Sequence, residues 1–455
     1  MGGPLLLWDT FFGDFSTLTS ELELSAEVTP QGPRLALRQQ VPDGPVLNLQ
    51  VDPLADGGRG YGVHLELADL ASFHQRYLQV ALSDLVGDIE LGGSLDVRIE
   101  GEMHPQPGPS TLHGSVRLAG GRASGRSGVV AAEGVDLELP LDLAWQGDEL
   151  QPASAEQPGR LAFEALRVRD LQLPATATGL VVSGDSLRLE QPLSIPLLGG
   201  AVELERLSLN HLLRPDRYLG SALRLSGIRL EAISEALGLF PLEGAVDGYL
   251  PRVRLAGDQL QVEGGGQVAL FGGVVRVGDI SGRDILSGYP RLTFSAEFQD
   301  IDLGQLTRKF DFGEMTGVLQ GSVRHCELFR GVPVRLEAQV ETVQRKGVKR
   351  RVSVKAVSNI AILGTGQRPT LLDLGIRRFL RFYTYDRLGI EAQLVNDVFL
   401  LRGLEHRGDQ ELFLKGRLPL PIDVVNAQPG RTVSFRTMLR RLESLDFGAV
   451  TTSPR

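Results

Sequence analysis

The strongest constraint on the fold is an alternation of apolar and polar residues that recurs along most of the chain. In the segment 95–100, for example, Leu, Val and Ile alternate with Asp, Arg and Glu. This period of two is typical of strands with one apolar face and one solvent face. Glycine-rich turn signals such as 199–200, 264–266 and 272–273 separate the alternating segments. The sequence therefore predicts a mainly β fold built on an antiparallel sheet.

Composition narrows the class of protein further. The chain of 455 residues has 55 Gly and 25 Pro, which argues against a long helical bundle. The formal net charge of -9 argues against a nucleic-acid-binding surface over the whole body. The single cysteine, Cys326, excludes an internal disulfide framework. No segment has about 18 consecutive apolar residues, so we expect no helix that spans a membrane.

Four short helices interrupt the predicted strands. Helical spacing predicts them at 231–237, 303–310, 371–384 and 435–446. In the third, Thr370 is the expected N-cap, and Leu372, Ile376, Phe379 and Tyr383 would share one face. Between the second and third helices, the alternation of Val352, Val354 and Ala356 predicts another strand.

Two segments of the chain repeat each other at a constant offset of 73 residues. Residues 228–255 contain a short helix followed by a strand, and residues 301–328 do the same. The glycines match without a gap, Gly244 with Gly317 and Gly248 with Gly321. We interpret this as a strand–helix–strand unit that adds sheet each time it recurs. If so, Gly244 and Gly317 should occupy equivalent positions.

The runs 225–230, 242–251 and 261–277 carry a family resemblance. They combine a short helical step, a Gly-x-x-x-Gly strand and strands joined by a glycine-rich turn. This pattern resembles the C-terminal part of the AsmA-like superfamily, nearest to its YdbH and TamB branches. The resemblance covers about 220–365. It implies an elongated, curved antiparallel sheet with a hydrophobic groove, in a bacterial envelope protein involved in phospholipid movement.

The resemblance also implies an organisation and a location. Residues 1–219 would be an N-terminal β-rich part of the groove, 220–365 the repeat region, and 366–455 the C-terminal basic and amphipathic helices with closing strands. Family members are periplasmic and anchored in the inner membrane by an N-terminal helix. This chain shows no such helix, and we expect its anchor to belong to a segment missing from the sequence.

No catalytic constellation emerges from the sequence, and we predict no enzyme activity, cofactor or metal. Phosphate-binding and nucleophile-elbow motifs are missing. His325 and Cys326 are adjacent, but on a strand they would point to opposite faces. Asp300 and Asp302 would share one face, where a solvated surface is favoured over a catalytic pair.

The first candidate site is the apolar face of two strands. Periodicity alone favours a face that a second sheet covers, because exposed apolar patches are normally small. The family resemblance favours an open trough that contacts lipid acyl chains. The candidate groove residues are Leu292, Phe294, Ala296, Phe298, Val334, Leu336, Ala338 and Val340.

The second candidate site is a basic zone. Residues 341–390 contain eleven Lys or Arg and three acids, so the remainder of the chain is strongly acidic. Segment 344–351 reads as a charged hairpin turn, and the predicted 371–384 helix mixes arginines with aromatics, a combination that suits lipid headgroups. A capping helix with solvated arginines is the competing interpretation. The candidates are Arg345, Lys346, Lys349, Arg350, Arg351, Arg377, Arg378, Arg381, Phe379 and Phe382.

Together these observations predict a non-enzymatic lipid-binding or lipid-transfer protein of the bacterial envelope. Its partners would be a phospholipid or other acyl lipid, a membrane surface and other envelope proteins, and not nucleic acid. The alternative is an envelope assembly factor whose sheet edge binds polypeptide strands. An outer-membrane barrel is disfavoured because aromatic residues make up only 6% of the chain.

Overall fold

The computed structural model of the chain describes residues 4–6, 12–14, 21–41, 44–75, 89–105, 110–125, 130–146, 149–151, 157–168, 171–212, 214–236, 242–365, 381–418 and 422–443. The first strands are β1 Pro4–Leu6, β2 Phe12–Asp14, β3 Glu21–Thr29, β4 Gly32–Gln40, β5 Val46–Pro53, β6 Arg59–Leu67, β7 Ile89–Met103, β8 Ser110–Gly125 and β9 Val130–Gln146. The next are β10 Glu149–Gln151, β11 Pro158–Phe163, β12 Ala165–Val168, β13 Leu171–Leu173, β14 Thr176–Ser183, β15 Ser186–Leu189, β16 Leu193–Leu197, β17 Gly200–Asn210 and β18 Tyr218–Arg229.

The C-terminal part also consists mainly of antiparallel strands. Its strands are β19 Ala245–Ala256, β20 Gln259–Leu270, β21 Gly273–Arg283, β22 Arg291–Asp302, β23 Met315–Thr316, β24 Val318–Phe329, β25 Val332–Val343, β26 Arg351–Ser353, β27 Phe382–Val395, β28 Val398–Gly403, β29 Glu405–Arg407, β30 Gln410–Gly416, β31 Val424–Val425 and β32 Thr432–Ser434. The described helices are α1 Leu70–Phe73, α2 Leu230–Ala236, α3 Leu303–Lys309, α4 Val354–Thr365 and α5 Phe435–Glu443.

One antiparallel sheet runs through almost the whole molecule. Strands β3 to β9 pair consecutively, and the sheet continues through β11, β14, β15 and β17. From β17 to β22 the order is again consecutive, followed by β24, β25, β27, β28 and β32. Among the described strands, β3 and β32 do not pair with each other, so the sheet is open. The predicted mainly β fold with few short helices is confirmed.

The 73-residue repeat is visible in the backbone hydrogen bonds. The amide of Leu230 donates to the carbonyl of Gly244 at 2.9 Å, and the amide of Leu303 donates to the carbonyl of Gly317 at 3.1 Å. Each glycine directly precedes a long strand, β19 or β24. The strand registers also agree, because the pairs Leu219–Leu255 and Leu292–Leu328 are related by the same offset. The predicted equivalence of the two glycines is confirmed.

Three predicted helices are confirmed, as α2, α3 and the described part of α5. The strand predicted through Val354 and Ala356 is wrong, because α4 begins at Val354. Three alternating residues are too few to separate a strand from a helix. In α4 the buried residues Val357, Ile360 and Ala361 have helical spacing, and the Ser353 hydroxyl accepts a hydrogen bond from the amide of Ala356 at 3.2 Å, as an N-terminal cap does.

The predicted helix 371–384 lies mostly outside the described residues. Its four described positions, 381–384, are not helical, because residue 381 is a bend and β27 begins at Phe382. Tyr383 and Tyr385 are buried, while Phe382 before them and Thr384 between them are exposed. This alternation, with aromatic and β-branched residues, is a strand pattern.

The hydrophobic core lies at the C-terminal end of the sheet, where helices cover it. One cluster contains seventeen buried residues, contributed by strands from β20 to β31 and by α3 and α4. Phe413, Leu414 and Val352 are completely buried there. In a smaller cluster, Met438 of α5 packs with Leu394 of β27 and Phe399 of β28. The helices therefore close one end of an otherwise open sheet.

Candidate functional site

The structure brings the two predicted groove strands onto one continuous face. Strand β24 lies between β22 and β25, and its register aligns the two sets of candidates. One row across the sheet is Val275, Phe298, Gly321, Val340 and Ile390. The next row is Val277, Ala296, Val323, Ala338 and Ala392. Of the remaining candidates, Leu292 lies opposite Leu328, Phe294 opposite Cys326, and Leu336 opposite Leu394. Val334 lies at a register shift between β24 and β25 and has no partner in the described ladders.

The candidates on this face are shielded only in part. Ala296 is buried, and the other seven retain intermediate exposure. The extensive contacts between described strands join strands that are close in sheet order, and these strands form one long open sheet. The covered sandwich favoured by periodicity alone is therefore wrong for the part of the chain that the structure describes.

The same apolar face continues through the N-terminal strands. Leu47, Leu65, Val97, Val116 and Leu139 form one row across β5 to β9, and each is half-buried. The opposite face carries charged pairs, such as Arg117 with Glu138 at 2.8 Å and His64 with Asp96 at 2.9 Å. The hydrogen bond from His64 holds the pKa of Asp96 below its ordinary value. The sheet thus has an apolar side and a solvated side along much of its length.

An apolar cavity of about 430 Å³ lies at the closed end of the sheet. Its walls come from the sheet, from α3 and α4, and from Met438 of α5. Val340 and Ile390, which belong to the apolar face, also line this cavity. The apolar face and the cavity are therefore continuous. The lining residues are Leu303, Leu306, Thr307, Phe310, Phe312, Met315, Leu319, Val340, Ile360, Leu363, Leu388, Ile390, Phe399, Leu401, Phe413 and Met438.

Sequence reasoning identified Val340 of this cavity but missed the contribution of α4. Ile360 and Leu363 stand three residues apart and face the cavity together. The signal was present in the serine cap and the helical spacing that follows it, but the strand interpretation of Val352–Ala356 obscured it.

Polar groups that could suggest catalysis have structural roles. Asp302 caps α3 by accepting a hydrogen bond from the amide of Gln305 at 3.0 Å. Asp300 forms an ion pair with Arg345. Cys326 is buried, which raises the pKa of its thiol, while the adjacent His325 is exposed on the other face, as predicted. Among the described residues, no group of three or more His, Cys, Asp or Glu is placed to hold a metal ion.

Two of the basic candidates form ion pairs with acidic residues of the same chain. Arg345 pairs with Asp300. Arg350 is largely buried, donates to the backbone carbonyl of Asp386, and approaches the Asp386 carboxylate to 3.3 Å. Segment 344–350 is a turn, with the amide of Val348 donating to the carbonyl of Arg345 at 3.2 Å. The predicted hairpin is wrong, because β26 pairs with β23 and β27 and not with β25.

Other basic candidates gather at the surface. Lys346, Lys349 and Arg351 are exposed, as are Arg381 and Phe382. Ser353 pairs with Phe382 in the β26–β27 ladder, which brings the turn and the start of β27 together. Arg377, Arg378 and Phe379 lie outside the described residues. We call the exposed group the basic surface, comprising Lys346, Lys349, Arg351, Arg381 and Phe382.

Comparisons with known proteins return no relative. No protein-family model, no curated protein and no solved structure matches the chain. In the portion of the chain that is described, every helix is too short or too polar to cross a bilayer.

Proposed function

We propose that this protein is a non-enzymatic lipid-binding protein that carries acyl chains along the apolar face of its sheet. The supporting observation is the long row of half-buried apolar residues on one face of the open sheet, in the part of the chain that the structure describes. An acyl chain laid on this face would remove apolar surface from water on both partners. Each buried methylene contributes about 0.8 kcal/mol.

The basic surface supports a second element of the proposal. Exposed lysine and arginine beside Phe382 suit contact with anionic headgroups at a membrane surface. The setting between the inner and outer membranes of a bacterial envelope, with phospholipid as cargo, rests on the AsmA-like resemblance of the 220–365 region.

The experiment is to purify the protein from bacterial cells and identify the lipid it carries by extraction and mass spectrometry. In the Phe294→Asp variant, the charge would stay hydrated on an open face, so the fold should survive while lipid loading falls severalfold. Ser295→Asp, which places the same charge on the opposite face of the same strand, is the matched control and should load lipid normally.

Two outcomes would contradict the proposal. If Phe294→Asp unfolds the protein while Ser295→Asp does not, the face is a closed core. If Phe294→Asp stays folded and carries as much lipid as the control, the face does not contact the cargo.

A second candidate function is the binding of polypeptide strands. Strand β3 pairs on one edge with β4, and among the described strands none pairs with its other edge. Leu22, Leu24 and Val28 on β3 are strongly exposed. An extended partner could add to this edge through backbone hydrogen bonds. A Ser25→Pro substitution would weaken strand addition but leave lipid loading unchanged, which separates the two functions.

A further inference from the structure

The apolar cavity at the closed end of the sheet differs from ordinary packing defects in size. Protein interiors keep few voids larger than a water molecule. The cavity of about 430 Å³ lies within the range of roughly 300–1,000 Å³ that ligand pockets occupy. Several of its lining residues, including Leu303, Ile360 and Phe413, belong to the largest described core cluster.

The lining defines the chemistry of an occupant. Thr307 is the only described lining residue with a polar side chain. Its hydroxyl donates to the carbonyl of Leu303 at 2.6 Å and accepts from the amide of Met315 at 3.3 Å. The hydroxyl is therefore already satisfied within the fold. Among the described lining residues, a ligand group would find no free side-chain hydrogen-bond partner, so hydrocarbon is favoured over a polar headgroup.

The size of the cavity sets the amount of hydrocarbon. A cavity of about 150 Å³ with an aliphatic and aromatic lining holds one benzene molecule, which has six carbons. By the same ratio, 430 Å³ holds roughly seventeen carbons, which is one acyl chain and not two. Val340 and Ile390 belong both to the cavity lining and to the apolar face, so apolar surface runs from the sheet to the cavity.

We propose that this cavity receives one unbranched acyl chain, tail first, and that its volume sets the length of chain that the protein encloses. The inference rests on the proposed lipid-binding function and adds to it a selection by chain length. A second acyl chain of the same lipid would remain on the open apolar face.

The test is a titration of the purified, delipidated full chain with straight-chain fatty acids of increasing length. Affinity should rise about fourfold for each added methylene up to about seventeen carbons, and by a clearly smaller factor beyond, because further methylenes lie on the open face, which covers only one side of the chain. A steady rise to chains of about twenty-two carbons, with no break, would overturn the proposal.

Two variants narrow the cavity from different walls, Leu306→Trp on α3 and Leu363→Trp on α4. Each should move the break to shorter chains by a few carbons and weaken binding of the longest enclosed chain by about tenfold. Val332→Trp, at an exposed position outside the cavity, is the control and should leave the break unchanged. Thermal unfolding identifies any variant that fails to fold, in which case the wild-type series decides alone.

The same measurements separate this proposal from the function on which it rests. If the protein carries lipid from cells and Phe294→Asp abolishes that loading, but the fatty-acid series shows no break, the cavity proposal fails and the proposed function stands. If the break is found but no lipid is carried from cells, the cavity binds a single chain and the transfer function fails.

Discussion

The two ends of the sheet use the same strand pattern but bury it to different degrees. From β3 to β17 the apolar rows are mostly half-buried, and the described part contains few fully buried side chains. From β18 onward the same kind of face meets α3, α4 and α5, and seventeen residues form one buried cluster. The alternation alone therefore produces a face, while the helices convert part of that face into a core.

This difference assigns separate tasks to the two regions. Stability should concentrate where helices close the sheet, since buried apolar area is the main favourable contribution to folding. Ligand contact should concentrate where the face is open or bounded by the cavity. Substitutions can test this division, because the same change should have unequal effects at the two ends.

The largest expected effect is the loss of a large core side chain at the closed end. Phe413→Ala should lower the free energy of unfolding by about 3–5 kcal/mol, because Phe413 is completely buried. Val63→Ala on the open face should cost roughly 1 kcal/mol, because Val63 is only half-buried. Chemical denaturation of both variants measures the difference, and equal losses would erase the distinction between the two ends.

A smaller effect is expected at a glycine of the repeat. A Cβ at Gly317, where φ is +151°, would collide with the hydroxyl of Tyr385. Gly317→Ala should therefore destabilise the protein by about 1–3 kcal/mol. Gly331 also has a positive φ, of +81°, but a Cβ there meets nothing within 4 Å. Gly331→Ala should cost less, and a cost as large as that of Gly317→Ala would show that backbone strain alone explains both.

Alkaline pH should lower the stability of the protein through Tyr385, which lies at the closed end of the sheet. Burial raises the pKa of Tyr385 well above its ordinary value of 10.0, and the hydroxyl donates to the carbonyl of Thr316 at 2.9 Å. Above pH 10 the unfolded state would release this proton while the folded state keeps it, so stability should fall by up to about 1.4 kcal/mol per pH unit. Tyr385→Phe should cost about 1 kcal/mol at neutral pH and remove this part of the alkaline loss.

Denaturation curves of both proteins between pH 8 and pH 11 measure the effect of Tyr385. Parallel pH dependences for the wild type and Tyr385→Phe would show that other groups cause the alkaline loss.

The smallest effect on stability is expected at the basic surface. Lys346→Glu and Lys349→Glu should leave the fold unchanged, because both side chains are exposed. Binding to anionic liposomes should weaken by about 1 kcal/mol for each cation removed. The control is Arg324→Glu, an exposed arginine on β24 outside this surface. Equal losses in all three variants would indicate a general charge effect without a local docking surface.

The strands and the repeat could be predicted because their signals are local and regular. Period-two patterning placed the groove candidates on one face, and the paired glycines Gly244 and Gly317 fixed the repeat without an alignment gap. The error at α4 arose where Val352, Val354 and Ala356 fit two periods at once. There, the packing of Ile360 and Ala361 into the core decided in favour of a helix.

The open face and the cavity could not be predicted from periodicity. Whether an apolar face is covered depends on contacts between residues far apart in sequence, such as the packing of Val340 against the large core cluster. The basic zone shows the same limit. Arg350 and Lys349 are neighbours in the sequence, yet one is held by Asp386 and the other is exposed.

Because β18 and β22 have matching registers, each repeat unit adds a fixed width to the sheet. These strands are 73 residues apart and four positions apart in the sheet order. Four is an even number, so each unit returns the chain to the same direction and the same face. With about 4.8 Å between strands, one unit widens the sheet by roughly 19 Å. Duplication of this segment would therefore lengthen the molecule in fixed steps while leaving the chemistry of its surface unchanged.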